Sequence, residues 1–337
     1  MADPSPATFA VIGAGSWGTA LAILLARNGL QVRLWGHQPE VMRTLAQERE
    51  NRAFLPGIPF PDGLSPVADL DAALNGADEV LIVVPSHAFA DVLRTIAPRL
   101  PSNAGICWAT KGLEPVSGRL LHEVAQEILG PDYPIAVISG PSFAKEVAAG
   151  LPTAVTVAAF SAAYAERIAG YLHSDCFRAY TSSDVIGLEI GGAAKNVMAI
   201  GAGISDGLAF GANARAALIT RGLTEIMRLG LALGGRMETF IGLGGMGDLV
   251  LTCTDDQSRN RRMGLALAKG ATIEQAKQAI GQEVEGVMAT QEIYHKACAL
   301  GVEMPITEQI QRVLYQGLDP KTAVQALLER DPRPEAG

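Results

Sequence analysis

The chain is short of the residues that support metal, disulfide and nucleic-acid chemistry. It has four cysteines in 337 residues, at Cys107, Cys176, Cys253 and Cys298. None stands in a CxxC pair, so neither a zinc site nor a disulfide framework is expected, and reduced thiols in a cytoplasmic protein are the simplest reading. There are five histidines, and no His/Cys/carboxylate cluster has metal-ligand spacing, so no metal is expected. Basic residues are outnumbered, 27 Lys and Arg against 35 Asp and Glu, for a formal charge of −8. Duplex nucleic acid and anionic membranes are poor partners for such a balance. An anionic small molecule is still allowed, because its site needs only a few local cations. Long apolar runs are scarce too. The longest, residues 11–26, is interrupted by Gly13, Gly15 and Gly18 and is too short to span a bilayer. Residues 1–8 carry no basic stretch ahead of an apolar run, so no signal peptide is expected there.

What is present is a globular composition, 48% hydrophobic and 18% charged, in a length that predicts two domains. The first half alternates short β-branched runs with helical segments. Strands are predicted at residues 9–12, 32–35, 80–84, 105–108, 135–139, 154–157 and 177–180. Helices are predicted at 16–28, 88–97 and 120–129, and residues 54–66, rich in Pro and Gly, read as a loop. Such alternation builds an α/β domain with a mostly parallel sheet covered on both faces. Near Asp184 the pattern changes to Ala, Leu, Gly and Met at helical spacing, with helices predicted at 188–202, 214–231, 273–280, 290–299 and 322–328. The expected organisation is a dinucleotide-binding domain over 1–183 and an all-α domain over 184–337 that carries substrate and catalysis. The tail from Asp331 is expected to fray.

Gly13-Ala14-Gly15-Ser16-Trp17-Gly18 is a GxGxxG motif. Alone it is weak, but here it follows a predicted strand and opens a predicted helix, the context that a Rossmann-type doubly wound domain requires. Gly13 permits the tight turn, Gly15 lets backbone approach a pyrophosphate, and Gly18 lets the helix pack on the sheet. The helix N-terminus then faces the phosphates with N–H groups and a positive dipole end. An NAD-specific enzyme usually ends its second strand with a carboxylate for the ribose diol. This chain has Gly36-His37-Gln38 instead, which allows NADP and does not exclude NAD.

Four further segments carry candidate chemistry. Lys111 follows a predicted strand; Gly140 and Ser142 lie in a strand-end loop leading to Ala144; Lys195 sits in a Gly- and Ala-rich helix; Asp248 follows a glycine-rich segment ahead of Ser258-Arg259-Asn260-Arg261-Arg262. Lys195 has Ala, Gly, Ile and Met around it. A buried amine there would be desolvated and tuned for proton transfer; a lysine snorkelling to the surface is the bland alternative. Asp248 either holds that lysine or simply serves a turn. Arg259 with Asn260 suits a phosphate clamp, while Arg261 and Arg262 read as a solvated basic run.

At these motifs the chain resembles bacterial NAD(P)-dependent glycerol-3-phosphate dehydrogenases. The matching stretches run from Phe9 to about Leu328 and include residues 13–18, 84–87, 110–112, 139–146, 187–206, 213–222, 244–254, 258–264 and 284–286. The resemblance implies reduction of dihydroxyacetone phosphate to sn-glycerol 3-phosphate, which supplies the glycerophospholipid backbone. It implies that Ser16, Trp17, His37, Lys111, Ala144, Arg259 and Glu285 line the cofactor site. It implies that Lys111, Gly140, Ser142, Lys195, Asp248, Ser258, Arg259 and Asn260 surround the substrate, with Lys195 exchanging the proton. A homodimer is expected from the apolar faces of a helical second domain. Two other readings stay open: another two-domain dehydrogenase acting on a hydroxy acid or sugar phosphate, and a dinucleotide sensor without catalysis. A sensor needs none of Lys195, Asp248 or Arg259.

Overall fold

The sheet is built from alternating side chains that serve two cores. Along the first strand Phe9 and Val11 enter one buried cluster, while Ala10 and Ile12 enter the other on the opposite face, as the two-residue period of a strand dictates. In this computed structural model, residues 6–115 and 117–330 are described; the expected fraying from Asp331 lies outside them. The strands are β1 (Thr8–Ile12), β2 (Gln31–Trp35), β3 (Leu64–Val67), β4 (Glu79–Ile82), β5 (Gly105–Trp108), β6 (Ile135–Ser139), β7 (Thr153–Ala159) and β8 (Phe177–Ser182). They form one sheet in the order β3-β2-β1-β4-β5-β6-β7-β8. Every pairing is parallel except β6 with β7. The chain reverses its direction of winding at β1, with β2 on one side and β4 on the other. In such sheets ligands bind beyond the carboxyl ends of the strands at that switch.

The helices are α1 (Ser16–Arg27), α2 (Pro39–Glu48), α3 (Leu70–Leu74), α4 (Ser86–Ile96), α5 (Leu121–Leu129), α6 (Ala144–Ala149) and α7 (Ala162–Leu172) among the strands. After them come α8 (Val185–Gly207), α9 (Gly211–Ala232), α10 (Met237–Ile241), α11 (Asp248–Thr254), α12 (Arg259–Ala268), α13 (Ile273–Ile280), α14 (Glu285–Ala299), α15 (Pro305–Tyr315) and α16 (Pro320–Leu328). The chain divides into two compact units, Met1–Glu189 and Ile190–Gly337. The first holds the sheet and the second is helical.

Three local expectations are corrected. Residues 64–67, read as the end of a loop and its flank, form β3; Pro66 is tolerated because β3 is an edge strand bonded only to β2. The glycine-rich stretch before Asp248 is not a turn but a π-helical segment, Leu243–Gly247, which runs directly into α11. Arg261, read with Arg262 as a solvated basic run, is buried in the first turn of α12, which the Ser258 hydroxyl caps by accepting from the Arg261 amide. Helix α8 is 23 residues long with a mean hydropathy of 1.2 in its most apolar window, yet 94% of that window is buried within the protein. Its apolar character is therefore that of a core helix.

Candidate active site

The glycine loop has the geometry a dinucleotide needs. Gly13 sits at φ +123°, and a methyl on it would overlap the Val83 carbonyl. A methyl on Gly18 would overlap the Gly13 carbonyl, so only glycine lets α1 begin this close to the loop. Gly15 differs from both: it has ordinary φ, and a methyl there would meet nothing within 4 Å. The open side of Gly15 is the space that a pyrophosphate would fill. Gly15 is also the N-cap of α1 and makes no side-chain cap, so the first-turn amides of Ser16 and Trp17 keep their donors for an anion. The loop is pinned by Asn51, which is 2% exposed and donates to the Ala14 carbonyl (3.1 Å) and to Thr19 Oγ1 (2.9 Å). Beyond β2, His37 is exposed, with the Gln38 amide 3.3 Å from its Nε2. The residues present thus fit a bound NAD or NADP.

A second cluster forms in the same unit at the ends of β5 and β6. Lys111 Nζ donates to the Gly140 carbonyl at 3.3 Å, and Ser142 Oγ donates to the same oxygen at 3.0 Å. Gly140 is at φ +148°, and a methyl on it would press on Val155 Cα at 2.9 Å. The loop then passes into α6, whose first residue is Ala144.

In the helical unit Lys195 is 7% exposed, which settles the snorkelling question against the surface. Its Nζ donates to Asp248 Oδ1 at 2.5 Å and to Thr252 Oγ1 at 2.9 Å. Asp248 is 1% exposed, so a complete ion pair is taken out of water and the hydroxyl adds a further acceptor. Thr252 Oγ1 donates in turn to the Asp248 carbonyl at 2.6 Å. Asp248 and Thr252 are four residues apart on α11 and so share a face. The adjacent Cys253 is no competitor as a nucleophile: burial pushes its thiol up to about 12, against the pull of Lys195 and Arg261.

One residue beyond Lys195, Asn196 accepts at Oδ1 from Asn260 Nδ2 (2.9 Å), and Asn260 Oδ1 accepts from the Gly286 amide (2.9 Å). This joins α8, α12 and the start of α14, where Glu285 is the first residue. The Arg259 side chain makes no hydrogen bond among the described residues. Burial pulls its guanidinium below its usual value, opposed by the charges of Glu285 and Glu283. A half-buried guanidinium at the N-terminus of a ten-residue helix has the donors and the charge that an anion requires.

Of the residues picked from sequence, the structure groups Gly13, Gly15, Ser16, Trp17 and Gly18; Lys111, Gly140 and Ser142; Lys195 and Asp248; and Ser258, Arg259 and Asn260 on one turn. Thr252 was passed over, and Asn196, beside Lys195 in the candidate helix, was given no role. Thr252 was within reach of the sequence once residues 248–254 are read as helix, because it stands at i+4 from Asp248. Arg261 was read as solvated but is 8% exposed and bonded to two carboxylates. No group of three or more His, Cys, Asp or Glu among the described residues is placed to hold a metal.

Comparison with known proteins agrees with this geometry along the whole chain. Residues 8–165 match the family described as NAD-dependent glycerol-3-phosphate dehydrogenase N-terminus, and residues 184–325 match the corresponding C-terminus. A glycerol-3-phosphate dehydrogenase [NAD(P)+] of Pseudoalteromonas translucida is 59% identical over 326 residues, 96% of this chain and 97% of the relative. One from Methylococcus capsulatus is equally similar, 59% over 96% of this chain and 97% of its own. The crystal structure of glycerol-3-phosphate dehydrogenase from Coxiella burnetii superposes with a TM-score of 0.94 at 51% identity, covering 97% of this chain and 100% of that one. With both halves matched and relatives this similar over nearly full length, the chain belongs to the NAD-dependent glycerol-3-phosphate dehydrogenase family.

Proposed function

We propose that the chain reduces dihydroxyacetone phosphate to sn-glycerol 3-phosphate, reversibly, with NADPH or NADH, and that it supplies glycerophospholipid synthesis from the cytoplasm. The observation that carries the reading is the buried Lys195 held by Asp248 and Thr252, on a helix whose next residue is hydrogen-bonded to the Arg259–Asn260 turn. When bound, the reduced nicotinamide supplies the hydride to C2 of the ketone. As negative charge develops on the C2 oxygen, the Lys195 ammonium stabilises it and transfers a proton to it, leaving a secondary alcohol and a neutral amine. Asp248 keeps that ammonium charged and aimed, and Thr252 fixes its second donor. Arg259, Asn260 and the first amides of α12 take the phosphate and orient the carbonyl. Lys111, with Gly140 and Ser142, supplies a further cation and donors to the bound substrate. The glycine loop holds the pyrophosphate, with Trp17, His37, Ala144 and Glu285 completing the cofactor contacts.

Four free thiols among the described residues suit a reducing compartment. Exposed Leu231, Met237 and Ile241 support a homodimer, which light scattering on the purified chain tests. The decisive assay follows nicotinamide absorbance with purified protein, dihydroxyacetone phosphate and either cofactor. Turnover is expected with both, and none with 6-phosphogluconate supplied with the oxidised cofactors. Absence of turnover on dihydroxyacetone phosphate overturns the assignment.

A further inference from the structure

Next to the turn that carries Arg259 and Asn260 lies a polar hub that the reaction as described does not use. Arg261 presents a rigid fork of donors. Its Nε donates to Asp256 Oδ1 at 2.8 Å, and one terminal nitrogen donates to the Asp206 carboxylate and to the Cys253 carbonyl, the latter at 3.3 Å. These acceptors belong to three different places: the last turn of α8, the end of α11, and the loop between α11 and α12. Asp206 is itself tied to Arg215 of α9 at 2.8 Å.

The elements that meet on this guanidinium are the ones that carry the site. Helix α8 bears Lys195, α11 bears Asp248 and Thr252, and α12 bears Arg259 and Asn260. Helix α12 lies backbone to backbone on α8, from its first turn, where a methyl on Gly203 would overlap the Arg261 carbonyl, to Gly264, where a methyl would overlap the Ile200 carbonyl. That contact fixes the body of α12. Its first turn is held by the Ser258 cap, by Asn260 between Asn196 and the Gly286 amide, and by the Arg261 side chain, which alone ties the turn to the loop before it and to the ends of α8 and α11.

We infer that Arg261 is a positioning residue for substrate phosphate, acting through Asp206 and Asp256 to hold Arg259 and Asn260 at their distance from Lys195. The inference rests on the reading of Arg259 and Asn260 as the phosphate clamp. A lysine at 261 keeps the charge but lacks the planar fork that spans the three acceptors, so it is expected to fix the turn less well.

The test is steady-state kinetics of Arg261→Lys and Asp256→Asn on dihydroxyacetone phosphate and on unphosphorylated dihydroxyacetone. Asp256 is largely exposed, 71% at its side chain, so its variant folds even where the Arg261 variant does not. We expect Arg261→Lys to raise KM for the phosphorylated ketone about tenfold and Asp256→Asn about threefold, as for loss of one or two hydrogen bonds. The kcat at saturation stays within about twofold of wild type on the same grounds, and kcat/KM for dihydroxyacetone does not change. A purely structural role predicts lower kcat with KM unchanged, or equal losses on both ketones, and either result overturns the inference. If the wild type itself shows no preference for the phosphorylated ketone, the clamp reading falls and this inference with it. If the wild type shows the preference and both variants keep it in full, only the inference falls.

Discussion

Replacing Lys195 with alanine removes the proposed proton donor, and it also strands a carboxylate. Asp248 is 1% exposed and its partner nitrogen lies 2.5 Å away, so the variant keeps a buried acceptor without its cation. Breaking such a pair costs about 3–5 kcal/mol, or roughly 6–20 °C in Tm for a unit of this size. The catalytic loss is a separate quantity. Removing a donor aimed at a developing oxyanion typically costs about 10²–10³ in rate, equivalent to about 3–4 kcal/mol at the barrier. The two effects separate when kcat is measured well below the variant's Tm and cofactor affinity is measured by fluorescence titration. Lys195→Ala/Asp248→Asn provides the control, because it removes the stranded charge and returns part of the stability without returning the proton donor. The expected result is a fall in kcat of at least about a hundredfold in both variants, with cofactor affinity nearly intact. A folded variant within about tenfold of wild type, below the usual donor effect, refutes the role assigned to Lys195. So does recovery of turnover in the double variant.

Three other outcomes follow from the geometry. Gly15→Ala is expected to keep the wild-type Tm, since the methyl meets nothing, while cofactor affinity falls; Gly18→Ala is expected to lower Tm because its methyl overlaps the Gly13 carbonyl, and equal Tm values for the two variants contradict this. His37→Asp places a carboxylate where a 2′-phosphate would lie and is expected to shift the ratio of specificity constants toward NADH through weaker NADPH binding; an unchanged ratio shows that other residues choose the cofactor. Glu225, 2% exposed on α9, accepts from the Ile306 and Thr307 amides at the start of α15, and burial pushes its carboxyl up to about 7 from 4.5. The folded state therefore holds this proton more tightly than the unfolded chain, and the associated stability, about 3 kcal/mol, is present below pH 4.5 and lost as pH rises through 7. Tm of the wild type is expected to fall relative to Glu225→Gln between pH 5 and 8 on this linkage, and parallel curves refute it.

The sheet was legible because its strands are short β-branched runs separated by helices, and the glycine loop was legible because its spacing has one mechanical meaning. Less visible were elements whose residues carry another signal. Leu64-Ser65-Pro66-Val67 looks like loop because of its proline, and only its edge position makes it a strand. Residues 243–247 look like a turn because three of five are glycine, and only packing against α8 and α10 winds them into a helix: a methyl on Gly245 would overlap the Phe240 carbonyl. That misreading hid Thr252, whose relation to Asp248 exists only on a helix. Arg261 was hidden for the opposite reason. Charge is read as exposure unless partners are known, and its partners are 5 and 55 residues away.

The glycines of α8 explain why such distant residues meet at all. A mid-helix glycine costs about 1 kcal/mol against alanine, so a helix with several must recover that elsewhere. Here they are contact points. A methyl on Gly191 would overlap the Gly244 carbonyl, and one on Gly203 the Arg261 carbonyl; on α14, a methyl on Gly286 would lie 2.8 Å from the Asn196 carbonyl. Each removes a side chain where another backbone arrives. The residues with reactive groups here, Asp248, Thr252, Asn196 and Asn260, are short. Short side chains bridge two helices only when the backbones nearly touch, and the glycines allow that approach. The long Lys195 side chain then has Asp248 and Thr252 within hydrogen-bond reach, at 2.5 and 2.9 Å. A larger residue at Gly191 is therefore expected to lower kcat on dihydroxyacetone phosphate although it touches no reacting atom, because it pushes the segment that leads into Asp248 away from Lys195; an unchanged kcat in a folded Gly191→Ala variant refutes this.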